Sequence, residues 1–332
     1  MENKKVLITG GAGFVGHHCI NYILKNTDWD IVILDSLNYA GNMNRLMQTD
    51  NNFFDSKRLK FVWHDLRAPI SKTTHSFLGK LDYCVHFAAE SHVDRSLKDS
   101  IPFIMANVLG TANLLEYFKH YQPNCKTIIF SSDEVFGSSS EGVCFKEEDK
   151  PRPSNPYAAS KAAQEAIAFS FVHSFNLLIS IVRSNNIIGE RQNSEKFVPK
   201  TIKSILNNEK VVIHGSKKEL ISRNWIPAEN VADAVLFLFK NAENGESYNI
   251  VGEEKTVFEM ANLICRAIKG RDLNDDEIQF VDPNVARPGI DRGYRTSGEK
   301  MSKMGWKPTI NLESSLKKNV EWTVKNRQWL EL

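Results

Sequence analysis

Two acids stand side by side in SSDEVFG, residues 131–137, directly after KTIIF. KTIIF is a run of branched apolar residues, the pattern of a buried strand, so Asp133 and Glu134 are placed where a sheet ends. An adjacent carboxylic acid and carboxylate in unlike environments can protonate a leaving group and remove a proton. Taken alone, such a pair is more often a solvated turn at a strand end. A second pair adds weight. NPYAASK sets Tyr157 and Lys161 at i and i+4, on one side of a helix that Asn155 can cap and whose first turn suits Pro156. An ammonium one turn from a phenol stabilises the phenolate. That predicts a lowered Tyr157 pKa and a base usable near neutral pH. A packed tyrosine beside a solvated lysine would show the same spacing.

A phosphate site precedes both. TGGAGFVG places Gly10, Gly13 and Gly16 between the strand KVLIT and a helix starting near Phe14. Missing side chains let backbone N–H groups approach a pyrophosphate, and the helix N-terminus adds partial positive charge. No lysine follows as a P-loop needs. Asp35 ends the second strand, where a carboxylate accepts from ribose hydroxyls and repels a 2′-phosphate; this favours NAD over NADP, the alternative being a turn aspartate. Asp65, ending the third strand, is either an adenine contact or a turn residue.

The elements that must position these groups are readable in outline. Strands are expected at 5–9, 30–35, 59–65, 82–88, 126–131 and 178–184, with helices near 14–26, 103–121 and 157–174. Near-continuous apolar strands separated by helices predict an α/β fold, a Rossmann-type doubly wound parallel sheet. After about residue 185 the rhythm changes to short strands (VVIHG, SRNWI, SYNIV, IQFV) mixed with helices near 195–207, 229–240, 256–268 and 312–328. The expected division is a Rossmann domain over 1–185 and a smaller α/β lobe over 186–332, interleaved with the last elements of the sheet.

Composition narrows the function classes. A net charge of +2 over 332 residues gives no polycationic surface for nucleic acid, and no apolar run reaches membrane-spanning length. MENKKVLITGG enters a strand at once, without a signal-peptide pattern. The five cysteines are unpaired in spacing and suit reduced thiols in a cytoplasmic protein. No cluster has metal-ligand spacing, so no metal is expected. His86 lies inside a strand and reads as a satisfied core histidine.

TGGAGFVG, DSLNYAGN, FAAESHVDRS, NVLGTANLLE, SSDEVFG, NPYAASKAAQE, SEKFVP, SRNW, YNIVG, ARPGIDRGY and MGWKP follow one another along essentially the whole chain. In that order they resemble the extended short-chain dehydrogenase/reductase family, and within it the nucleoside-diphosphate-glucose 4,6-dehydratases. The resemblance implies NAD held by Gly10, Gly13, Phe14, Val15, Gly16, Asp35, Asp65, Leu66, Ala88, Ala89, Ser91, Tyr157 and Lys161. It implies dTDP-glucose or UDP-glucose as substrate, with contacts from Ser91, Asn185, Lys196, Phe197, Arg223, Asn249 and Arg287. Forked guanidiniums suit phosphate oxygens, although surface ion pairs account for many arginines. Arg95 could bridge to cofactor phosphate or to a structural acid, and Asn107 matches a structural asparagine.

The implied reaction is a lyase with an internal redox cycle. Tyr157 takes the C4 hydroxyl proton while hydride goes to NAD, with Ser132 bonding the same region. Glu134 removes the C5 proton, Asp133 protonates the C6 oxygen, and hydride returns to C6, giving a 4-keto-6-deoxy sugar of the kind used in rhamnose-type deoxysugar biosynthesis. Family epimerases lack the acidic pair after the serine. Two readings stay open: an NDP-sugar 4-epimerase or decarboxylase, and a non-catalytic NAD-binding sensor. The chain departs from the family at Ser132 (usually threonine), at NIIGER (usually N-Y-G-P), at Asn224 (usually aspartate) and at Ile290 (usually histidine). The resemblance also implies a homodimer through a four-helix bundle, for which EYFKHY and AIAFSFVHSF supply aromatic residues, although these could equally face their own sheet.

Overall fold

The computed structural model describes residues 4–49, 56–138, 143–216, 219–282 and 295–331. Seven parallel strands form the main sheet, in the spatial order Ser247–Ile250, Ile179–Ser184, Lys126–Ser132, Tyr83–His86, Lys5–Thr9, Asp30–Asp35, Leu59–Trp63. The chain winds outward from Lys5–Thr9 in one direction, then returns to build the other half from Tyr83–His86. The order therefore reverses between these two strands, and a crevice opens at their carboxyl ends.

Every second side chain of these strands faces the other layer, so nearly all of them must be apolar. Val6, Ile8, Ile31, Ile33, Val85, Ile128 and Val182 join one core, under helices Phe14–Asn26 and Ala228–Asn241. Leu7, Val32, Leu34, Cys84, Ile129, Ile179 and Ile181 join the other, under Gly110–Tyr121 and Pro156–Phe175. The helix expected near 103–121 is broken up. Ile101–Phe103 is α-helical, Ile104–Leu109 is a π-turn containing Asn107, and the α-helix resumes at Gly110. Such π-turns gather at functional sites.

The second half of the chain packs a third core around Val198, Ile202, Trp225, Ile264 and Leu316. A small sheet pairs Asn186–Ile188 in parallel with Ser222–Pro227, and the latter antiparallel with Glu253–Thr256. Another pairs Val211–Ser216 with Ile278–Val281 and Glu219–Leu220. Among the described residues no helix is long and apolar enough to cross a membrane, and no His/Cys/Asp/Glu group could hold a metal ion.

One buried ion pair ties the Tyr157 helix to the sheet. Arg183 donates to both Glu165 oxygens, at 3.0 Å from Nε and 2.8 Å from Nη2, and each side chain is only 3% exposed. Removing one partner leaves an uncompensated buried charge. Glu165→Ala is expected to cost about 3–5 kcal/mol in denaturant unfolding, while replacing both residues by methionine costs far less. Equal losses in the two variants would show that the charges are not coupled.

Candidate active site

The glycine loop is shaped by close approach. Gly10 has φ +69°, and a Cβ there would lie 2.6 Å from the Ala88 nitrogen. A Cβ on Gly16 would lie 2.3 Å from the Gly10 carbonyl oxygen, so the helix can sit this close only without one. Gly13 is the N-cap of helix Phe14–Asn26 and supplies no side-chain cap. This leaves the positive end of the helix for an anion. Asp35 braces the same region: it accepts from Ala12 N at 2.9 Å and Leu37 N at 2.8 Å. Burial raises its pKa against those bonds.

Two adjoining clefts meet at this loop. One is lined by Gly10, Gly13, Asp35, Asp65, Leu66, Ala88 and Ala89. The other is lined by Gly10, Gly13, Phe14, Val15, Gly16, Ala89, Ser91, Ser132, Asp133, Glu134, Tyr157, Lys161, Asn185 and Lys196. A dinucleotide laid across the shared Gly10–Gly13 segment has Asp35 at one end and Tyr157 at the other, so the residues fit such a cofactor. Phe197, Arg223 and Asn249 line neither cleft. Phe197 packs on Trp225, and Asn249 is 1% exposed with its backbone N–H donating to Glu147. Arg287 and Ile290 lie outside the described residues.

The two acids occupy different surroundings, as a split role requires. Strand Lys126–Ser132 runs into a 3-10 turn at Asp133–Phe136, and Ser132 Oγ caps it by accepting from Glu134 N at 3.2 Å. Asp133 is buried and accepts from Asn185 Nδ2 at 2.7 Å. Burial, reinforced by the Glu134 charge, pushes its pKa up to about 7 against the Asn185 bond. Glu134 accepts from Asn155 Nδ2 at 3.2 Å, the same asparagine that caps the Tyr157 helix.

Tyr157 departs from the expectation drawn from its spacing. Its pKa is raised, by burial first and then by Glu134 and Asp133, with a Ser132 hydrogen bond opposing. The reason lies in where the lysine reaches. Lys161 Nζ donates to the Phe130 carbonyl at 2.7 Å and to the Gln164 carbonyl oxygen, and burial pulls its pKa down to about 7.

A relay extends from Gln164. Its amide donates to Thr111 Oγ1 at 2.7 Å, and that hydroxyl donates to Asn107 O at 2.6 Å. His86 Nε2 lies 2.9 Å from Thr111 Oγ1, whose proton is already committed, so Nε2 is the donor and Nδ1 accepts from Thr9 at 2.7 Å. Burial holds His86 neutral, with its pKa down to about 3. Asn107 bonds the Glu90 N–H and carbonyl at 2.8 and 3.0 Å, and Ser160 at 2.8 Å. Arg95 takes the structural option: it pairs with Glu90 at 3.0 Å and stacks over Tyr39.

Sequence reasoning missed Arg45. It is 2% exposed and donates to Ala12 O at 3.1 Å, Ala40 O, Arg191 O at 3.0 Å and Asn193 Oδ1 at 2.9 Å. Nothing in NMNRLMQ marks that arginine as buried. Gln164 was findable, one turn beyond Lys161 in SKAAQ.

A doubly wound sheet with a dinucleotide cleft at its switch point, and Ser132, Tyr157 and Lys161 at the carboxyl edge, defines an enzyme of the short-chain dehydrogenase/reductase type. Residues 7–319 match the family described as GDP-mannose 4,6 dehydratase, and the chain belongs to it. It is 35% identical to the dTDP-D-glucose 4,6-dehydratase of Mus musculus, over 97% of this chain and 89% of that one. The dTDP-glucose 4,6-dehydratase of Bacillus anthracis in complex with NAD superposes with a TM-score of 0.86 at 31% identity, covering 99% of both chains. That of Streptomyces venezuelae, with NAD and TYD bound, gives 0.88 at 30% identity over 98% of this chain and 99% of the other.

The raised Asp133 pKa makes the stability of the fold depend on pH. Between the ordinary carboxylate range and about pH 7 the folded chain holds a proton that the unfolded chain has lost, so this group's contribution to stability falls as pH rises through that window. Asp133→Asn carries no charge to bury. Its melting temperature relative to the parent is expected to rise from pH 5 to pH 8; a constant difference would mean Asp133 is ionised throughout.

Proposed function

We propose that this protein dehydrates an NDP-glucose, dTDP-glucose or UDP-glucose, to the NDP-4-keto-6-deoxy sugar with internally recycled NAD, in rhamnose-type deoxysugar biosynthesis. The observation that carries this is the placement of Asp133 and Glu134, in unlike environments, in one cleft with Tyr157 and Lys161. Gly10, Gly13, Phe14, Val15, Gly16 and Asp35 would hold NAD, which would supply a hydride acceptor for C4, a hydride donor for C6 and a cationic ring favouring the Tyr157 phenolate.

The remaining work belongs to side chains. Tyr157, bonded to Ser132, takes the C4 hydroxyl proton, and Lys161 holds the adjoining region through its acceptors. The ketone acidifies C5–H, and Glu134 removes that proton, then returns one to C5 as C6 is reduced. Asp133, whose pKa of about 7 keeps much of it protonated near neutrality, gives its proton to the departing C6 oxygen. A 4-epimerisation needs only oxidation and reduction at C4, and would leave both acids without a task. Residues 186–332 supply most of the nucleotide-sugar lobe, with Asn185 and Lys196 at the cleft and Arg223 near Asp133.

The chain acts as a cytoplasmic homodimer. Supporting the dimer, Ile101, Ile104, Met105, Leu109, Tyr121 and Phe175 are all exposed on or beside the helices expected in the bundle, Ile101 by 62%. Light scattering at micromolar concentration should give twice the chain mass, and a monomer would refute the bundle.

Glu134→Gln is expected to slow loss of water from the substrate by about 10²–10⁴-fold. Absorbance of NADH should still appear, because C4 oxidation does not use Glu134. Product mass reads the first effect and a 340 nm trace the second. Unimpaired dehydration by this variant would remove Glu134 from the role of base.

A further inference from the structure

Asn193 lies in the substrate-side cleft with Ser91, Asn186, Ile187 and Lys196, beside the acids and Tyr157. It lies two residues beyond NIIGER, residues 186–191, where the chain departs from its family's pattern. Its side-chain oxygen accepts from Arg45 Nη2 at 2.9 Å. A guanidinium has five N–H donors and no acceptor, so only the carboxamide oxygen can face it. The amide is thereby fixed in one of its two orientations, with the N–H pair turned away from Arg45.

Arg45 is itself held in place. It is 2% exposed, three more of its N–H groups end on Ala12 O, Ala40 O and Arg191 O, and its guanidinium lies 5.2 Å from the Trp329 ring centroid. Both ends of the loop are also held. Gln192 Nε2 donates to Ile187 O at 2.9 Å, Lys196 N to Asn193 O at 3.0 Å, and Lys196 Nζ to Ser91 O at 2.9 Å. A polar group oriented this firmly on a cleft wall is pre-organised for a ligand.

We propose that Asn193 is a substrate-binding residue whose carboxamide N–H donates to an acceptor oxygen of the nucleotide sugar, and that Arg45 is the positioning residue that fixes its orientation. The acceptor is either a sugar hydroxyl or a diphosphate oxygen. This rests on the dehydratase reading of the cleft and goes beyond it by adding a specificity contact from the loop. It also joins the two ligands: one guanidinium holds both the glycine loop, through Ala12, and the sugar-side wall, through Asn193.

The test is calorimetric binding, to protein loaded with NAD, of whichever of dTDP-glucose and UDP-glucose it turns over, and of the matching nucleoside diphosphate without sugar. Asn193→Ala is expected to weaken the nucleotide sugar about tenfold. Asn193→Asp, which keeps the shape but offers no N–H, should weaken it at least as much. Neither change should alter the affinity for NAD. If the acceptor is a diphosphate oxygen, the nucleoside diphosphate weakens in parallel; if it is a sugar hydroxyl, only the nucleotide sugar does.

Arg45→Lys loses the fork and should weaken the same ligand, with little further loss when Asn193→Ala is added. It should also weaken NAD, which the Asn193 variants do not. Unchanged nucleotide-sugar affinity in both Asn193 variants would overturn the proposal, whatever Arg45→Lys does. Additive losses in the double variant would overturn the positioning role. Binding of neither nucleotide sugar by the unaltered protein would remove the dehydratase reading and the inference with it, a result distinct from unchanged affinity in the variants.

Discussion

A lysine that is 3% exposed must find acceptors, and those that Lys161 finds organise much of the site. One is the Phe130 carbonyl, at the strand end that leads into Ser132 and the two acids. The other is Gln164, which commits its amide to Thr111, and Thr111 in turn fixes the tautomer of His86. His86 accepts from Thr9, whose oxygen also receives the Ala88 N–H at 3.3 Å. Through neutral, buried donors the position of one ammonium is linked to the first strand, the fourth strand and the wall of the cofactor cleft. Each group is satisfied only if the others keep their rotamers, which makes the relay a rigid mount for Tyr157.

The acids depend on a second constraint, the end of a strand. Asp133 is buried because the 3-10 turn folds it under the sheet edge, where Asn185 meets it from the neighbouring strand's end. Asn185 is held in turn by Gly252 N at 3.1 Å and Thr296 at 3.0 Å, both from the second half of the chain. Glu134 turns to Asn155 at the mouth of the Tyr157 helix. Adjacent positions in sequence thus face opposite structural partners, and that difference is what an acid and a base need.

The strands and the site nucleus were legible because their signals are local. Near-continuous apolar runs mark Lys5–Thr9 or Ile179–Ser184 without knowledge of their neighbours, and the glycine spacing, the Tyr157–Lys161 interval and the Asp133-Glu134 doublet are each short. What escaped is non-local. The π-turn at Ile104–Leu109 lies in a stretch that reads as unbroken helix. Arg45 looks like any surface arginine until the Arg191–Asn193 loop folds over it. The expected fall in the Tyr157 pKa rested on helical spacing alone. In the fold Lys161 reaches other acceptors, and burial beside two carboxylates decides the sign. Phe197, Arg223 and Asn249 came from resemblance, and none of them lines either cleft.

The central claim is that one cleft oxidises C4, eliminates water across C5 and C6, and restores its own cofactor. NDP-glucose deuterated at C4, dTDP and UDP forms separately, tests it directly by product mass and by the position of the label. The account predicts a product lighter by one water with the deuterium at C6, formed with catalytic NAD. Deuterium remaining at C4 in a product of unchanged mass, or its loss to added NAD, would contradict it.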